Sequence, residues 1–412
     1  MTMFSTLIRF TQEKTKYLYD NSLFLQNVDK LIFASIVAVF LSSTVMSSDI
    51  IGFIALITVF LTVIKILTKP NEKLDCKTFE LWLLAYFMIV IISLAGSTLF
   101  HLSLKGFFKT FTYLAFYLAM VQYLKINKNK LPYVLAAIGI CVSFEAVIGF
   151  LQNFSHVEEI SGWQDVSHLN PEQVMTRVYG TLKPYNPNLL GGYFVAGIPA
   201  LFGLAGYLLV DKKYKYSIVS LICALFSTMT LFLTGCRGSY IGMTVILAGM
   251  FAVSAKFLWN NYKQIYLSAL GGVVAIATSA IMLVTSLRAR VLSMFAMRQD
   301  SSNSFRFNVY HSSIEMFKDN WLLGIGVGNQ NFREIYGLYM KTGFDALSSY
   351  NIFLEIAVES GVFALIAFMG FLITLIKNSI NFILKSTDAK AVIIASAAII
   401  SIIAVCIHGL VD

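Results

Sequence analysis

Residues Leu189 to Trp259 read LLGGYFVAGIPALFGLAGYLLV, DKKYK, YSIVSLICALFSTMTLFLT, GCRGS and YIGMTVILAGMFAVSAKFLW. Three apolar runs, each close to the roughly 20 residues a helix needs to cross hydrocarbon, are separated by two five-residue connectors. One connector is lysine-rich and the other is a glycine and arginine turn, so two successive crossings put lysine on one side of a membrane and arginine on the other. Continuous apolar runs of this length exclude a membrane β-barrel, whose strands are short and alternate.

The rest of the chain extends the pattern. Of 412 residues, 57% are hydrophobic and 13% charged, and the mean hydropathy is +0.73, too apolar for a water-facing shell around one core. Eleven segments satisfy the membrane-length test: Leu31 to Met46, Ile50 to Leu67, Phe79 to Ser97, Phe107 to Leu124, Leu131 to Leu151, Leu189 to Val210, Tyr216 to Thr234, Tyr240 to Trp259, Gln264 to Ser286, Asn351 to Ile376 and Ala389 to Leu410. The expected fold is an all-α polytopic membrane protein. Residues 1–30 form an N-terminal segment, and 31–412 form one transmembrane domain with loops at 152–188 and 287–350. The N-terminal segment has no cleavable signal pattern; Leu7 and Ile8 beside Arg9, Lys14 and Lys16 read as an interfacial helix.

The positive-inside bias puts the N-terminus in the cytoplasm, with Lys69, Lys73, Lys77, Lys125, Lys128, Lys130, Lys212, Lys213 and Lys215 in cytoplasmic loops. Seven of the eight arginines fall on the opposite face. Topology therefore accounts for most of the net charge of +9, and no basic patch with interleaved aromatics suggests nucleic acid. The five cysteines show neither a disulfide nor a metal spacing, and no Asp-X-Asp occurs. Lys65 is expected to snorkel to the cytoplasmic surface. The hydropathy shows no internal repeat of the kind many secondary transporters carry.

Candidate chemistry gathers on the arginine face. Arg237 in Gly235-Cys-Arg-Gly-Ser239 stands near the hydrocarbon edge and needs a partner, either Glu145, Glu355 or Glu359, or a phosphate gripped by parallel hydrogen bonds. The run Asp300 to Ser304 predicts a helix start, placing Arg306 in a first turn where backbone N–H groups favour an anion; pairing with Asp300 or Glu315 is the alternative. Gly324-Ile-Gly-Val-Gly-Asn329 has neither a preceding strand nor a following Gly-Lys-Ser, and reads as a close-packed turn rather than a nucleotide loop. Asn351, Glu355 and Glu359 are spaced to share one helix face, and acids inside a membrane helix are costly enough to suggest function, although Glu359 serves equally as a structural ion pair.

Together these pieces resemble the O-antigen ligase and polymerase superfamily. The resemblance spans Arg177 to Asp412 and rests on the order of Arg177-Val-Tyr-Gly-Thr-Leu, Asn186-Pro-Asn-Leu-Leu-Gly-Gly, Thr234-Gly-Cys-Arg-Gly, Phe305-Arg-Phe-Asn-Val-Tyr, Leu323-Gly-Ile-Gly-Val-Gly-Asn, Asn351-Ile-Phe-Leu-Glu and Glu359-Ser-Gly. Gly343-Phe-Asp-Ala-Leu-Ser-Ser-Tyr-Asn is most similar to the cyanobacterial branch named for inorganic-carbon transport. The resemblance implies transfer of a glycan from a polyprenyl diphosphate to a glycan or lipid acceptor hydroxyl, without metal or other cofactor, on the outer face of the bacterial cytoplasmic membrane. It implies diphosphate binding by Arg237 and Arg306, with Arg177 as a third. Ligases of the superfamily carry a histidine immediately before the last motif's asparagine, where this chain has Tyr350, so that histidine's role does not carry over. Glu355 becomes the leading general base and Tyr350 its neighbour in the catalytic set; His311 reads as a surface residue, and His156, His168 and His408 lack motif support. Two other readings stay open, an anion transporter taking bicarbonate and a non-catalytic superfamily member. The superfamily commonly continues into a further helix, which would be a twelfth beyond Asp412.

Overall fold

A computed structural model of the chain describes residues 2–70, 72, 77–155, 176–295 and 301–411, and helices are the only regular structure among them. In chain order these are α1 (Thr2–Asn21), α2 (Leu23–Gln26), α3 (Val28–Ser42), α4 (Ser48–Thr68), α5 (Thr78–Gly96), α6 (Phe100–Ile126), α7 (Leu131–Gln152), α8 (Pro187–Val210), α9 (Tyr214–Leu233), α10 (Arg237–Leu258), α11 (Lys263–Leu283), α12 (Thr285–Leu292), α13 (Ser301–Asp319), α14 (Asn329–Tyr336), α15 (Ile352–Lys385) and α16 (Ala389–His408). Each of the eleven apolar segments falls in a helix of its own.

Among the described residues, nine helices are long and apolar enough to cross a membrane. The two segments outside that group have clear reasons. Helix α3 has 15 residues, about 22 Å at 1.5 Å per residue, short of a hydrocarbon core of roughly 30 Å. Helix α6 has 27 residues, and His101, Lys105, Lys109 and Lys125 lower its hydropathy.

Helix α8 is central and packs against α7, α9, α10 and α16. Its buried Leu190, Phe194, Val195 and Ile198 meet Val142, Leu231, Met243 and Ile400 in the largest apolar cluster. Close approach depends on small residues, as is common between membrane helices; a Cβ on Gly203 would stand 2.5 Å from that of Ala397. Many large apolar side chains face outward, among them Phe53, Ile218 and Ile276, and α11 buries only Tyr266. Such a surface is stable against lipid and not against water.

Many lysines gather at the end of the bundle opposite the α9–α10 turn, while Lys105, Lys109 and Lys318 stand at the arginine end. At the lysine end Lys125 pairs with Glu80 at 2.7 Å, and Asp211 pairs with Lys213 at 2.9 Å and with Lys390. Lys65 does not snorkel: it is 2% exposed and pairs with Asp29 at 2.8 Å and Glu72 at 3.0 Å. Those acids come from α3 and from the segment after α4, so pairing across the fold offsets a desolvation cost that a lone lysine avoids by reaching for water. Helix α1 lies along this end of α4, with Gln12 donating to the carbonyls of Ile66 at 2.7 Å and Glu72 at 3.0 Å.

Candidate functional site

The turn Thr234 to Cys236 joins α9 to α10 at the arginine end. Gly235 has φ +62°, a left-handed conformation open to glycine without strain. A Cβ there would also meet the Arg177 side chain at 3.1 Å. Three guanidinium groups converge on this turn. Arg177 donates from Nε to the Thr234 carbonyl at 2.8 Å and from Nη2 to Asn188 Oδ1 at 2.6 Å. Arg290, on α12 and 6% exposed, donates from Nε to the Gly235 carbonyl at 2.7 Å. Arg237, the first residue of α10 and 5% exposed, donates from Nη1 to both the carbonyl and the hydroxyl of Ser293 at 3.2 Å.

The Ser293 carbonyl also accepts from Asn303 on α13 at 3.4 Å. Arg306 lies three residues after Asn303 on α13. Three arginines thus stand around the N-terminus of α10, where backbone N–H groups and the helix dipole add positive potential, and α13, which carries Arg306, is tied to the same place through Asn303. Gathering like charges away from water is unfavourable unless an anion or backbone oxygens compensate them.

The loop that carries Arg177 is built as a rigid support. Gln152, the last residue of α7, accepts from the N–H groups of Tyr179 at 3.1 Å and Gly180 at 2.9 Å and donates to the Gly180 carbonyl at 3.0 Å. Glu145 is fully buried; one oxygen accepts the Thr181 N–H at 2.9 Å and the other the Thr181 hydroxyl. Among the carboxylates offered as partners for Arg237, Glu145 is therefore taken up by this loop. Glu359 Oε1 accepts the Gly328 N–H at 2.9 Å.

The start of α15 is tied to the end of α16. Asn351 caps α15, accepting from the N–H groups of Phe353 at 3.0 Å and Leu354 at 3.1 Å. Its Nδ2 donates to the Leu410 carbonyl at 3.2 Å, and the Ile352 N–H donates to the Gly409 carbonyl at 2.7 Å. The expected shared face therefore holds for Glu355 and Glu359, whereas Asn351 is the cap that precedes them. Tyr350 has φ +51°, which is sparsely populated for a side-chain-bearing residue. Its carbonyl accepts from the Tyr310 hydroxyl at 3.2 Å, and its ring meets that of Phe305 at 5.7 Å, one residue from Arg306.

Among the described residues, the half-buried Glu355 carboxylate makes no hydrogen bond or ion pair. Its electrostatic neighbours are Glu359, Lys109 on α6 and Tyr86 on α5. The structure thus brings Arg177, Arg237 and Arg290 to one turn and ties α13, which carries Arg306, to Ser293 through Asn303; it links Tyr350 to α13; and among the described residues no hydrogen bond joins Glu355 to the arginine turn. His311 is exposed. His408 is buried, with Nε2 at 3.7 Å from Cys236 Sγ. Arg290 carries no motif, and its only sequence signal is membership in the arginine-rich face. His156, His168 and Asp300 lie outside the described residues. Among the described residues, no group of three or more His, Cys, Asp or Glu could hold a metal ion.

The family model described as O-antigen ligase matches residues 222–369. Over that stretch, about a third of the chain, the protein is similar to the O-antigen ligase and polymerase superfamily. The matched stretch runs from α9 through the arginine turn and α10 to α14 and into α15, taking in Arg237, Arg290, Arg306, Tyr350, Glu355 and Glu359 and leaving Arg177 outside. It supports a ligase- or polymerase-like role on glycans in a multi-pass membrane protein, with a lipid-linked glycan and an acceptor as partners. It does not distinguish the inorganic-carbon branch. A search of curated proteins found no match.

Proposed function

We propose that the protein transfers a glycan from a polyprenyl diphosphate to an acceptor hydroxyl on the outer face of the bacterial cytoplasmic membrane, with its N-terminus in the cytoplasm. The observation that carries this reading is the convergence of Arg177, Arg237 and Arg290 on one turn, to which α13, the helix carrying Arg306, is tied through Asn303 and Ser293. Planar guanidinium forks grip diphosphate oxygens through parallel charge-assisted hydrogen bonds. In the reaction the acceptor oxygen bonds to the anomeric carbon as the bond from that carbon to the diphosphate breaks. Negative charge develops on the leaving diphosphate, and Arg237, Arg306 and Arg177 stabilise it there. Glu355, whose carboxylate has no hydrogen-bond partner among the described residues, takes the acceptor's proton. Tyr350 stands where ligases of the superfamily have histidine, and orients the acceptor through its hydroxyl.

Purified protein in vesicles with a polyprenyl diphosphate oligosaccharide and a hydroxyl acceptor tests this. Release of polyprenyl diphosphate coupled to glycosylated acceptor is the expected outcome, and a stable donor across glycan and lipid acceptors would count against it. A second reading, transport of an anion such as bicarbonate, draws on the interruption of α15 at Gly361, with φ +80° and ψ 178°, beside Glu355 and Glu359. Broken membrane helices near ionisable residues suit ion binding. A third, a non-catalytic superfamily member, draws on Tyr350 alone.

A further inference from the structure

The interruption of α15 is filled by another part of the chain. At Gly361 the helix cannot bond the carbonyls of Val358 and Glu359 in the usual way, and free backbone groups in a membrane protein need other partners. The segment after α13 supplies them. Ile325 N–H donates to the Val358 carbonyl at 2.9 Å, Gly326 N–H to the Glu359 carbonyl at 2.9 Å, and Val362 N–H to the Trp321 carbonyl at 2.8 Å. Ser93 on α5 adds a hydroxyl to the Glu359 carbonyl at 2.9 Å.

The contact admits only glycine at its closest points. A Cβ on Gly361 would stand 2.2 Å from the Leu322 carbonyl oxygen, and one on Gly324 would stand 2.4 Å from the Glu359 backbone. Gly324, Gly326 and Gly328 all have positive φ. On the far side, a Cβ on Gly106 of α6 would stand 2.3 Å from the Val327 carbonyl oxygen. The segment is therefore clasped between α6 and α15, and among the described residues the α15 side chain that hydrogen-bonds to it is Glu359, which accepts the Gly328 N–H at 2.9 Å.

We infer that Glu359 is a positioning residue that locks the 321–328 segment into the α15 break. The inference rests on the glycan-transfer reading above and separates two acids that the sequence presents as equivalent. The segment continues directly from α13, which carries Arg306, and the break lies less than two turns beyond Glu355 on α15. The lock thereby sets the diphosphate arginine and the base in register. What it needs from residue 359 is an acceptor oxygen, which an amide supplies as well as a carboxylate does.

The test compares Glu359→Gln and Glu359→Ala with Arg237→Ala and wild type, scoring donor turnover and amide hydrogen exchange of the 321–332 peptide. Expected are Glu359→Gln with turnover and protection near wild type, and Glu359→Ala with turnover down on the order of tenfold or more and local protection lost, since the acceptor of the Gly328 N–H is removed and that N–H is left unpaired. Glu359→Ala with wild-type turnover and protection overturns the inference. So does Glu359→Gln that keeps protection but loses turnover, because the charge would then be what matters. If the alanine variant fails to accumulate, Glu359→Met, which keeps the volume without the acceptor oxygen, takes its place, and wild-type protection and turnover in that variant overturn the lock. Should Arg237→Ala also turn over donor normally, the glycan-transfer reading fails, whatever the exchange data show.

Discussion

Replacing Arg237 by alanine separates anion binding from folding. The guanidinium is 5% exposed and donates from Nη1 to Ser293, whose carbonyl also accepts from Asn303 at 3.4 Å. The structural loss includes the hydrogen bonds to the Ser293 carbonyl, which keeps a second donor, and to its hydroxyl, about 1 kcal/mol each. The functional loss is larger. Two charge-assisted hydrogen bonds to a leaving diphosphate contribute about 1.5–3 kcal/mol each, and at about 1.4 kcal/mol per decade transfer should fall roughly 10²- to 10⁴-fold. Arg237→Lys keeps the charge without the fork and should recover part of that, leaving a deficit of roughly tenfold or more. The assay is transfer from a labelled polyprenyl diphosphate donor in membranes matched for protein abundance. An alanine variant of normal abundance that transfers within about threefold of wild type would refute the reasoning, as would a lysine variant equal to wild type.

Three further outcomes follow from the structure. Glu355→Gln should lower turnover by roughly 10² while donor binding stays as in wild type; unchanged turnover removes Glu355 as the base. Gly361→Ala forces a Cβ to within 2.2 Å of the Leu322 carbonyl oxygen at φ +80°, and should destabilise the fold by at least ~2 kcal/mol, read as a lower melting temperature in detergent; an unchanged melt contradicts the α15 break. At the lysine end, hydrogen bonds from Lys390 and Lys213 hold the Asp211 carboxyl down at about 2, against an ordinary 3.8. A depressed pKa means its stabilising contribution is complete above the ordinary value and fades as pH falls from about 4 toward about 2. Asp211→Asn should flatten the melting temperature across that window, and a variant with the wild-type pH slope would contradict the pairing.

The bundle was legible because hydropathy reports each segment's own solvent. Every expected crossing is a helix, and the shortfalls at α3 and α6 are visible as shortness and as Lys105 and Lys109. The Gly324 to Asn329 turn was legible for a similar reason, since glycines at alternate positions announce a backbone that others approach closely. Pairings between distant segments were not. Nothing near Lys65 in the chain indicates that α3 supplies Asp29, and nothing near Arg290 indicates that its partner is the Gly235 carbonyl. Gly361 reads in sequence as one more small residue in a membrane helix. Its role as a break exists only because the 321–328 segment is there to fill it. Glu145 read in sequence as a candidate partner for Arg237, and only the fold assigns it to Thr181.

The central claim, a diphosphate-binding arginine cluster serving glycan transfer, is tested most directly by mass spectrometry of polyprenyl diphosphate glycans in lipid extracts. The strain lacks the gene and is complemented with wild type or with Arg237→Ala. The account predicts accumulation of the lipid-linked glycan that wild type reverses and Arg237→Ala does not. A lipid pool unchanged by the deletion would contradict it.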